Sequence, residues 1–362
     1  MFTSRIFNRV FAQGEPTVFI ISSPFQLLCA YNAIKSFGII QYKIVFVLFP
    51  NVIRNEQMFI MAKDMNIRYE LIYTDSFNFE DFFQRRGIFS VQKGYYKRAF
   101  LGSYFRPDFR MIASLYLSNG LIAFMDDGTS TLSLFRDGYF SSDHPKPSSF
   151  LPKIKWYKNI WLKEYKLDYK IRKQLALETN KITNCFYTIY DNVKTYKFRI
   201  YLNSLSHILD INEIQACNNI IIVGSFIRRD AEWNELSETS YMHILSSKLK
   251  KVRDLFPSEQ ILYIPHGSDT NEDIQSICHS TSIQYMRIDI AIEYWFIQNH
   301  CKPQAIYGFG STALLNIKRM FPDISVTDWF IDKPDSNPYY NFYKMIADYY
   351  SKNDIVIERT IF

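Results

Sequence analysis

Three short polar turns carry the residue types that could do chemistry, and each directly follows an apolar run. The first is Asp126-Asp127-Gly128, which follows Leu121, Ile122, Ala123, Phe124 and Met125. A run of that kind ending in two acids and a glycine predicts a buried strand that delivers carboxylates to a tight turn at its carboxyl end. In open α/β sheets ligands sit at that end, and a carboxylate there can serve as a general base. Thr129, Ser130 and Thr131 come next, with hydroxyls suited to capping a helix. The same pattern also fits an acid pair that only caps this helix or faces solvent.

The second turn is Pro265-His266-Gly267, after Gln260–Ile264. An imidazole at a strand's carboxyl end can offer a hydrogen bond or partial positive charge to a departing phosphate. A lone histidine is also commonly structural, and His144-Pro145 is a rival without a strand to position it. The third turn is Gly308-Phe309-Gly310-Ser311-Thr312, after Ala305–Tyr307. Two glycines, two hydroxyls and an immediate helix make an anion site from backbone N–H groups and the helix dipole. There is no P-loop lysine and no third glycine of a dinucleotide fingerprint, so one phosphate fits better than a diphosphate. An ordinary cap and tight turn without a ligand is the alternative.

These turns need a scaffold, and the order of elements supplies one. Thr17–Ser22 reads as a strand, Ser23 as a cap and Pro24 as a first helical residue, with Leu27, Leu28, Tyr31 and Ile34 giving helical periodicity. The small residues Ser22 and Ser23 leave that turn open to a ligand. Strand expectations follow at Lys43–Phe49, Ile67–Tyr73, Met111–Leu117 and Leu121–Met125, with helices at Glu56–Met65 and Tyr95–Tyr104. The alternation restarts with strands at Asn219–Val223, Gln260–Ile264, Ser282–Ile288, Ala305–Tyr307 and Ile324–Thr327. Helices are expected at Tyr241–Phe256, Ala291–Gln298, Ala313–Met320 and Tyr339–Tyr350. Repeated strand–helix alternation predicts parallel sheets, and its restart predicts two doubly wound Rossmann-like lobes facing each other across a cleft. The expected lobes are residues 1–212 and 213–362, with Cys185–Leu209 completing the first.

Composition bounds the function class. Of 362 residues, 48% are hydrophobic and 17% aromatic, which is ample for two cores and excludes disorder as a whole-chain description. Net charge is +6, and Pro152–Lys173 alone carries eight Lys or Arg against Glu164 and Asp168. Trp156, Tyr157, Trp161, Tyr165 and Tyr169 interleave with those cations, a pattern suited to anionic lipid head groups or to a solvated helix with an aromatic core face. The rest of the chain is not basic, which argues against a nucleic-acid partner. Met1–Phe11 places Phe2, Ile6 and Val10 beside Phe7 and Phe11 on one stripe, to lie on a membrane or pack on its own domain. A serine- and proline-rich stretch, Asp137–Pro152, reads as an exposed loop. Cys29, Cys185, Cys217, Cys278 and Cys301 are scattered without a C-x-x-C, so reduced core cysteines in a cytoplasmic protein are expected. No apolar run reaches the length of a membrane span.

Taken in this order, the three turns resemble those of bacterial sialyltransferases, above all glycosyltransferase family 52 and related families with a D/E-D/E-G, a His-Pro-type and a Ser-Ser/Thr motif. Ile20–Ile34, IISSPFQLLCAYNAI, is also similar to the opening βα unit of family 52. The resemblance spans Val18 to Trp329, though each motif is only two to five residues. It implies a GT-B fold and transfer of a nonulosonic acid from a CMP-sugar to a glycan hydroxyl, with inversion. Asp127 matches the general base, while Asp126 and Gly128 shape the turn and Ser22 and Ser23 accompany them on the acceptor side. His266 matches the histidine at the donor phosphate, and Ser311 and Thr312 match the hydroxyl pair at that phosphate, with Gly310 in their turn. Glu293 resembles the acid that holds the ribose, and Gly224, Ser225 and Pro265 join the donor side. The departure is Pro-His-Gly where many relatives have His-Pro.

The implied chemistry needs no metal or cofactor besides the CMP-sugar substrate. Its leaving group is a phosphate monoester, and departure from a tertiary anomeric carbon gives an oxocarbenium-like state, so charge stabilisation and a base suffice. The acceptor class is a lipooligosaccharide, O-antigen or capsule glycan, made by a cytoplasmic enzyme that touches the inner membrane face through Pro152–Lys173. Oligomeric state is open, a homodimer included. Two alternatives stand beside this reading: a family relative using a UDP-hexose, and a non-catalytic glycan-binding assembly protein.

Overall fold

The structure is a computed structural model that describes residues 8–73, 95–103, 109, 112–113, 116–129, 131–132, 185–191, 199–208, 213–267, 269, 272–332 and 339–361. Residues 1–7 of the N-terminal stripe, Ser130, the Asp137–Pro152 loop with His144, and Pro152–Lys173 lie outside them. The chain divides into two compact units, Met1–Asn55 with Ala62–Asn203, and Glu56–Met61 with Ser204–Phe362.

The first unit runs β1 (Thr17–Ile21), α1 (Pro24–Ser36), β2 (Tyr42–Leu48), α2 (Val52–Asp64), β3 (Tyr69–Tyr73), β4 (Tyr96–Leu101), β5 (Leu117–Met125), β6 (Cys185–Thr188) and β7 (Arg199–Leu202). The described strands form one parallel sheet in the order β3-β2-β1-β4-β5-β6-β7. Every residue of β1 is buried, as a central strand covered on both faces requires. At the start of α1 the Ser23 hydroxyl accepts the Gln26 N–H, and Pro24 takes the first helical position, where a missing N–H costs nothing. The helix stops at Gly38, whose φ of 53° allows the N–H groups of Gly38 and Ile39 to reach the carbonyls of Lys35 and Ile34. Phe11, Phe37, Phe100, Tyr187 and Tyr201 pack ring on ring beside this sheet.

Two expectations fail here for identifiable reasons. Tyr95–Tyr104, expected to be helical, contains β4, an interior strand between β1 and β5. Its Arg98 is fully buried. Its guanidinium donates to the carbonyls of Val10 and Ala12 and to the Thr17 hydroxyl, and burial lowers its pKa to about 10. Met111–Leu117, expected as a separate strand, has helical Ile112 and Ala113, and β5 begins only at Leu117. Residues 118–120, which lie between the two expected strands, continue β5 with a register shift against β4. A shifted register lets one strand absorb turn-forming residues. The described end of the N-terminal stripe packs on its own unit, with Val10 and Phe11 both buried, so these two side chains are not presented to a membrane.

The second unit runs β8 (Gln215–Ala216), β9 (Asn219–Val223), α3 (Ile227–Trp233), α4 (Glu238–Leu255), β10 (Gln260–Ile264), α5 (Asp273–Ser280), β11 (Gln284–Tyr285), α6 (Ile292–Gln298), β12 (Cys301–Lys302), β13 (Ala305–Gly308), α7 (Thr312–Met320), β14 (Ser325–Asp332), α8 (Tyr340–Ser351) and β15 (Val356–Ile361). Its main parallel sheet is ordered β11-β10-β9-β13-β14-β15, and β8 pairs with β12 separately. Ile220, Ile222, Tyr241, Leu245, Leu249, Tyr263 and Trp329 form its core. The strand expected over Ser282–Ile288 shrinks to two residues, and β15 was not foreseen, because VIERTI is a charged edge strand without an unbroken apolar run. Two Rossmann-like parallel α/β units in one chain are what the alternation predicts, in agreement with the GT-B fold that the resemblance implies.

The cysteine expectation is corrected in part. Cys217 and Cys301 form a disulfide next to the β8–β12 pair, while Cys29, Cys185 and Cys278 are free and buried. Spacing gave no hint, since 84 residues separate the partners and only strand pairing brings them together. No helix among the described residues is long and apolar enough to cross a membrane.

Candidate functional site

In each sheet the chain reverses its direction of winding once. The first unit builds β1, β2 and β3 outward and then places β4 on the other side of β1. The second builds β9, β10 and β11 outward and places β13 on the other side of β9. At such a switch point the connections leave in opposite directions and open a crevice at the carboxyl ends of the strands. All three polar turns emerge at strand carboxyl ends at or beside these points.

At the switch point of the first unit, Ser22 and Ser23 follow β1, Gly102 and Ser103 follow β4, and Asp126-Asp127-Gly128 follow β5. Register aligns Ile20 with Leu101 and Leu101 with Phe124, so these turns leave the sheet side by side. The two aspartates differ sharply. Asp126 is completely buried, and its carboxyl accepts from the Thr188 hydroxyl at 2.5 Å and the Ile189 N–H at 2.8 Å, joining the end of β5 to the end of β6. Burial, which outweighs those two bonds, raises its pKa to about 7, and the neighbouring Asp127 adds to the rise. Asp127 is half-buried; its N–H donates to the Thr131 hydroxyl and its Oδ1 accepts from Gln26 Nε2 at 3.0 Å. Gly128 holds a φ of 66°, the left-handed conformation that this turn requires, and its carbonyl accepts from the Tyr190 hydroxyl. Ser22 and Ser23 are buried, Ser22 through its N–H on Gln26 and Ser23 as the cap of α1.

At the switch point of the second unit, Ile264, Val223 and Gly308 lie in register on adjacent strands. The turns after them, Pro265-His266-Gly267, Gly224-Ser225 and Phe309-Gly310-Ser311-Thr312, therefore start from one line across the sheet. Gly224 is packed so closely that a Cβ would lie 2.9 Å from the Pro265 Cα, so the first two turns touch through backbone. Pro265 is buried and His266 half-buried, with the imidazole stacked at 6.0 Å on Phe226. Arg287 donates to the carbonyls of Gly267 and Asp269, and Asp269 donates its N–H to the His266 carbonyl, so the histidine turn is clamped. Ser225 is turned inward, its hydroxyl 2.8 Å from that of Tyr241.

Gly310 adopts a φ of 52° and donates its N–H to the buried Asp328 at 2.6 Å, and burial pushes that carboxyl up to about 7. Ser311 caps α7 by accepting the Ala313 N–H, and its carbonyl accepts from Tyr350. Ser311 and Thr312 are half-buried at the positive end of this nine-residue helix, a setting that favours an anion. Glu293 sits on α6 but is buried, with its carboxyl accepting from Asn316 of α7 at 2.6 Å; burial raises its pKa.

Three residues important to these sites were not singled out by their types: Gln26, Arg287 and Asp328. The only signal for Gln26 was its place three residues after Ser23, the spacing of a capping box. Arg287 and Asp328 lie far in sequence from the turns they hold and had no local signal.

No family model and no curated protein sequence matches the chain. Among solved structures, a crystal structure of Acinetobacter baumannii MurG is similar over 95% of this chain and 85% of that one, at 11% sequence identity and a TM-score of 0.42. A likeness that slight bears on neither substrate nor mechanism.

Proposed function

We propose that this chain is an inverting glycosyltransferase that moves sialic acid or a related nonulosonic acid from a CMP donor to a hydroxyl of a bacterial surface glycan. The observation that carries the reading is the division of labour at Asp126-Asp127: the first acid is consumed by the fold, while the second is half-buried beside the switch point and held by an amide. A half-buried acid at the carboxyl end of a strand is suited to accept a proton from an acceptor hydroxyl. Support on the donor side comes from three turns on the neighbouring strands β10, β9 and β13, with a helix N-terminus, two hydroxyls and a histidine among them.

In this reading the donor phosphate is received at the start of α7 by backbone N–H groups, Ser311 and Thr312. His266 donates to the phosphate as the bond to the anomeric carbon breaks, stabilising charge where it develops. Gly224, Ser225, Pro265 and Gly310 shape the donor turns, and Glu293 serves the donor side through α6 and α7. Asp127 removes the acceptor proton, a contribution of about 10²–10⁴-fold for a well-placed base. No step calls on a metal or cofactor. Pro152–Lys173 supplies the contact with anionic lipid, tested by sedimentation with anionic and neutral vesicles.

The reading is tested by incubating the full chain with CMP-sialic acid, UDP-hexoses and a panel of glycan acceptors, followed by product mass and anomeric configuration. A new sialylated product of inverted configuration is expected. Transfer only from a UDP-hexose, or no transfer from any donor, overturns it.

A further inference from the structure

We infer that Gln26 is a positioning residue that sets the orientation of the Asp127 carboxylate, an inference that rests on the reading of Asp127 as the base. Gln26 is the third residue of α1, fully buried, and its amide joins three strand ends. Its Oε1 accepts the Ser22 N–H at 2.7 Å, after β1. Its Nε2 donates to the Gly102 carbonyl at 2.7 Å, after β4, and to Asp127 Oδ1 at 3.0 Å, after β5.

The partners allow only one orientation of the amide. Turned over, it would set its NH₂ against the Ser22 N–H and its oxygen against a carbonyl and a carboxylate. Both Nε2 hydrogens are therefore committed, and one of them points at Asp127. The space is also reserved for this amide: a Cβ on Gly102 would lie 2.2 Å from Gln26 Oε1.

A purely structural role accounts for half of this. A Ser at the cap with Gln or Glu three residues later is the spacing of a capping box, in which the third residue's oxygen reaches back to the cap's N–H; here it reaches one residue further, to Ser22. Glutamate would do that equally well. The NH₂ group is beyond what a cap needs, and it is the half that reaches Asp127. A hydrogen bond to one carboxylate oxygen fixes the plane of the group and directs the other oxygen, which a general base requires within hydrogen-bond reach of its proton.

Gln26→Glu separates the two roles, because it keeps an oxygen for Ser22 and leaves at most one O–H, in place of two N–H groups, to serve the Gly102 carbonyl and Asp127. With Asp126 as the ionisable sequence neighbour, the added acid is also expected to move the acid limb of the kcat/KM profile to higher pH, since a lost donor and a new like charge both disfavour the ionised base. Expected results are a loss in kcat of about a hundredfold, the cost of a misplaced reacting group, an unchanged donor KM, a retained helical signal and the shifted acid limb. Gln26→Met, which removes the donors without adding charge, lowers kcat in the same direction and carries the test if the glutamate variant fails to fold. Wild-type kcat in either folded variant, or a loss with an unmoved pH profile in Gln26→Glu, overturns the inference. If Asp127→Ala abolishes transfer while folded Gln26 variants remain fully active, only this inference falls. A wild-type chain with no Asp127-dependent transfer overturns the parent reading and this one with it.

Discussion

Asp126 and Asp127 are consecutive residues with opposite environments: the first is wholly enclosed and bonded to Thr188 and Ile189, the second is half-buried and bonded to Gln26. Alternation along the end of a strand produces this contrast, since successive side chains leave toward opposite faces. Replacing the two should separate stability from activity. Asp126→Ala leaves a hydroxyl and an N–H without their acceptor and is expected to cost about 1–3 kcal/mol of stability. Asp127→Ala leaves one N–H of the buried Gln26 amide without its acceptor and is expected to cost less, about 1 kcal/mol, while lowering kcat at least about a hundredfold with CMP binding retained. Urea denaturation and steady-state kinetics on the pair check this; equal destabilisation by both changes would contradict the division of roles.

Gly102 is a steric requirement. With a Cβ 2.2 Å from Gln26 Oε1, Gly102→Ala forces the amide away from Ser22 and Asp127. The expected result is a loss of about 1–3 kcal/mol from overpacking, with kcat lowered as well. Denaturation midpoints near wild type would show that the α1 terminus yields easily and that the amide is not held.

On the donor side, His266→Ala and Ser311→Ala are expected to weaken CMP binding about tenfold to a hundredfold each. That is the value of a hydrogen bond to a charged group. Isothermal titration with CMP reads the effect directly. Ser311 also caps α7, so Ser311→Asp is the informative partner: it preserves a cap and adds repulsion toward a phosphate. Equal CMP affinity in wild type and Ser311→Asp would remove the phosphate from this turn.

The pH dependence of stability follows from Asp126 and Asp328, whose pKa values burial raises from 3.8 to about 7. Between those values the folded state binds more protons than the unfolded state. Stability from these groups is therefore complete below about pH 4 and is lost as pH rises through about 7. Asp328→Asn keeps an oxygen for the Gly310 N–H and removes one titration. Its melting temperature is expected to decline less than that of wild type between pH 5 and pH 8. An equal decline in the variant and the wild type would mean that Asp328 is already ionised across the range.

Much of the scaffold is written locally. β1, β9, β10 and β13 are short apolar runs closed by glycine, serine or proline, and burial of those runs in parallel sheets leaves little choice of structure. The starts of α1 and α7 were equally plain, because Ser23 and Ser311 cap N–H groups within three residues of themselves. Runs, caps and turns depend on neighbours along the chain, so a sequence can express them.

What only the tertiary structure decided is who meets whom across the sheet. β4 was unreadable because its buried arginine finds its hydrogen-bond acceptors in carbonyls more than eighty residues away. Gln26 looked like one polar residue in a helix until strand order put β1, β4 and β5 together and gave its amide three partners. Cys217 and Cys301 became neighbours only through the pairing of two-residue strands. Residue type sets what a side chain is able to donate or accept, whereas sheet order, a property of the whole chain, selects the partner; the acids of the first turn were visible in advance, and their separation into one buried and one half-buried carboxyl was not.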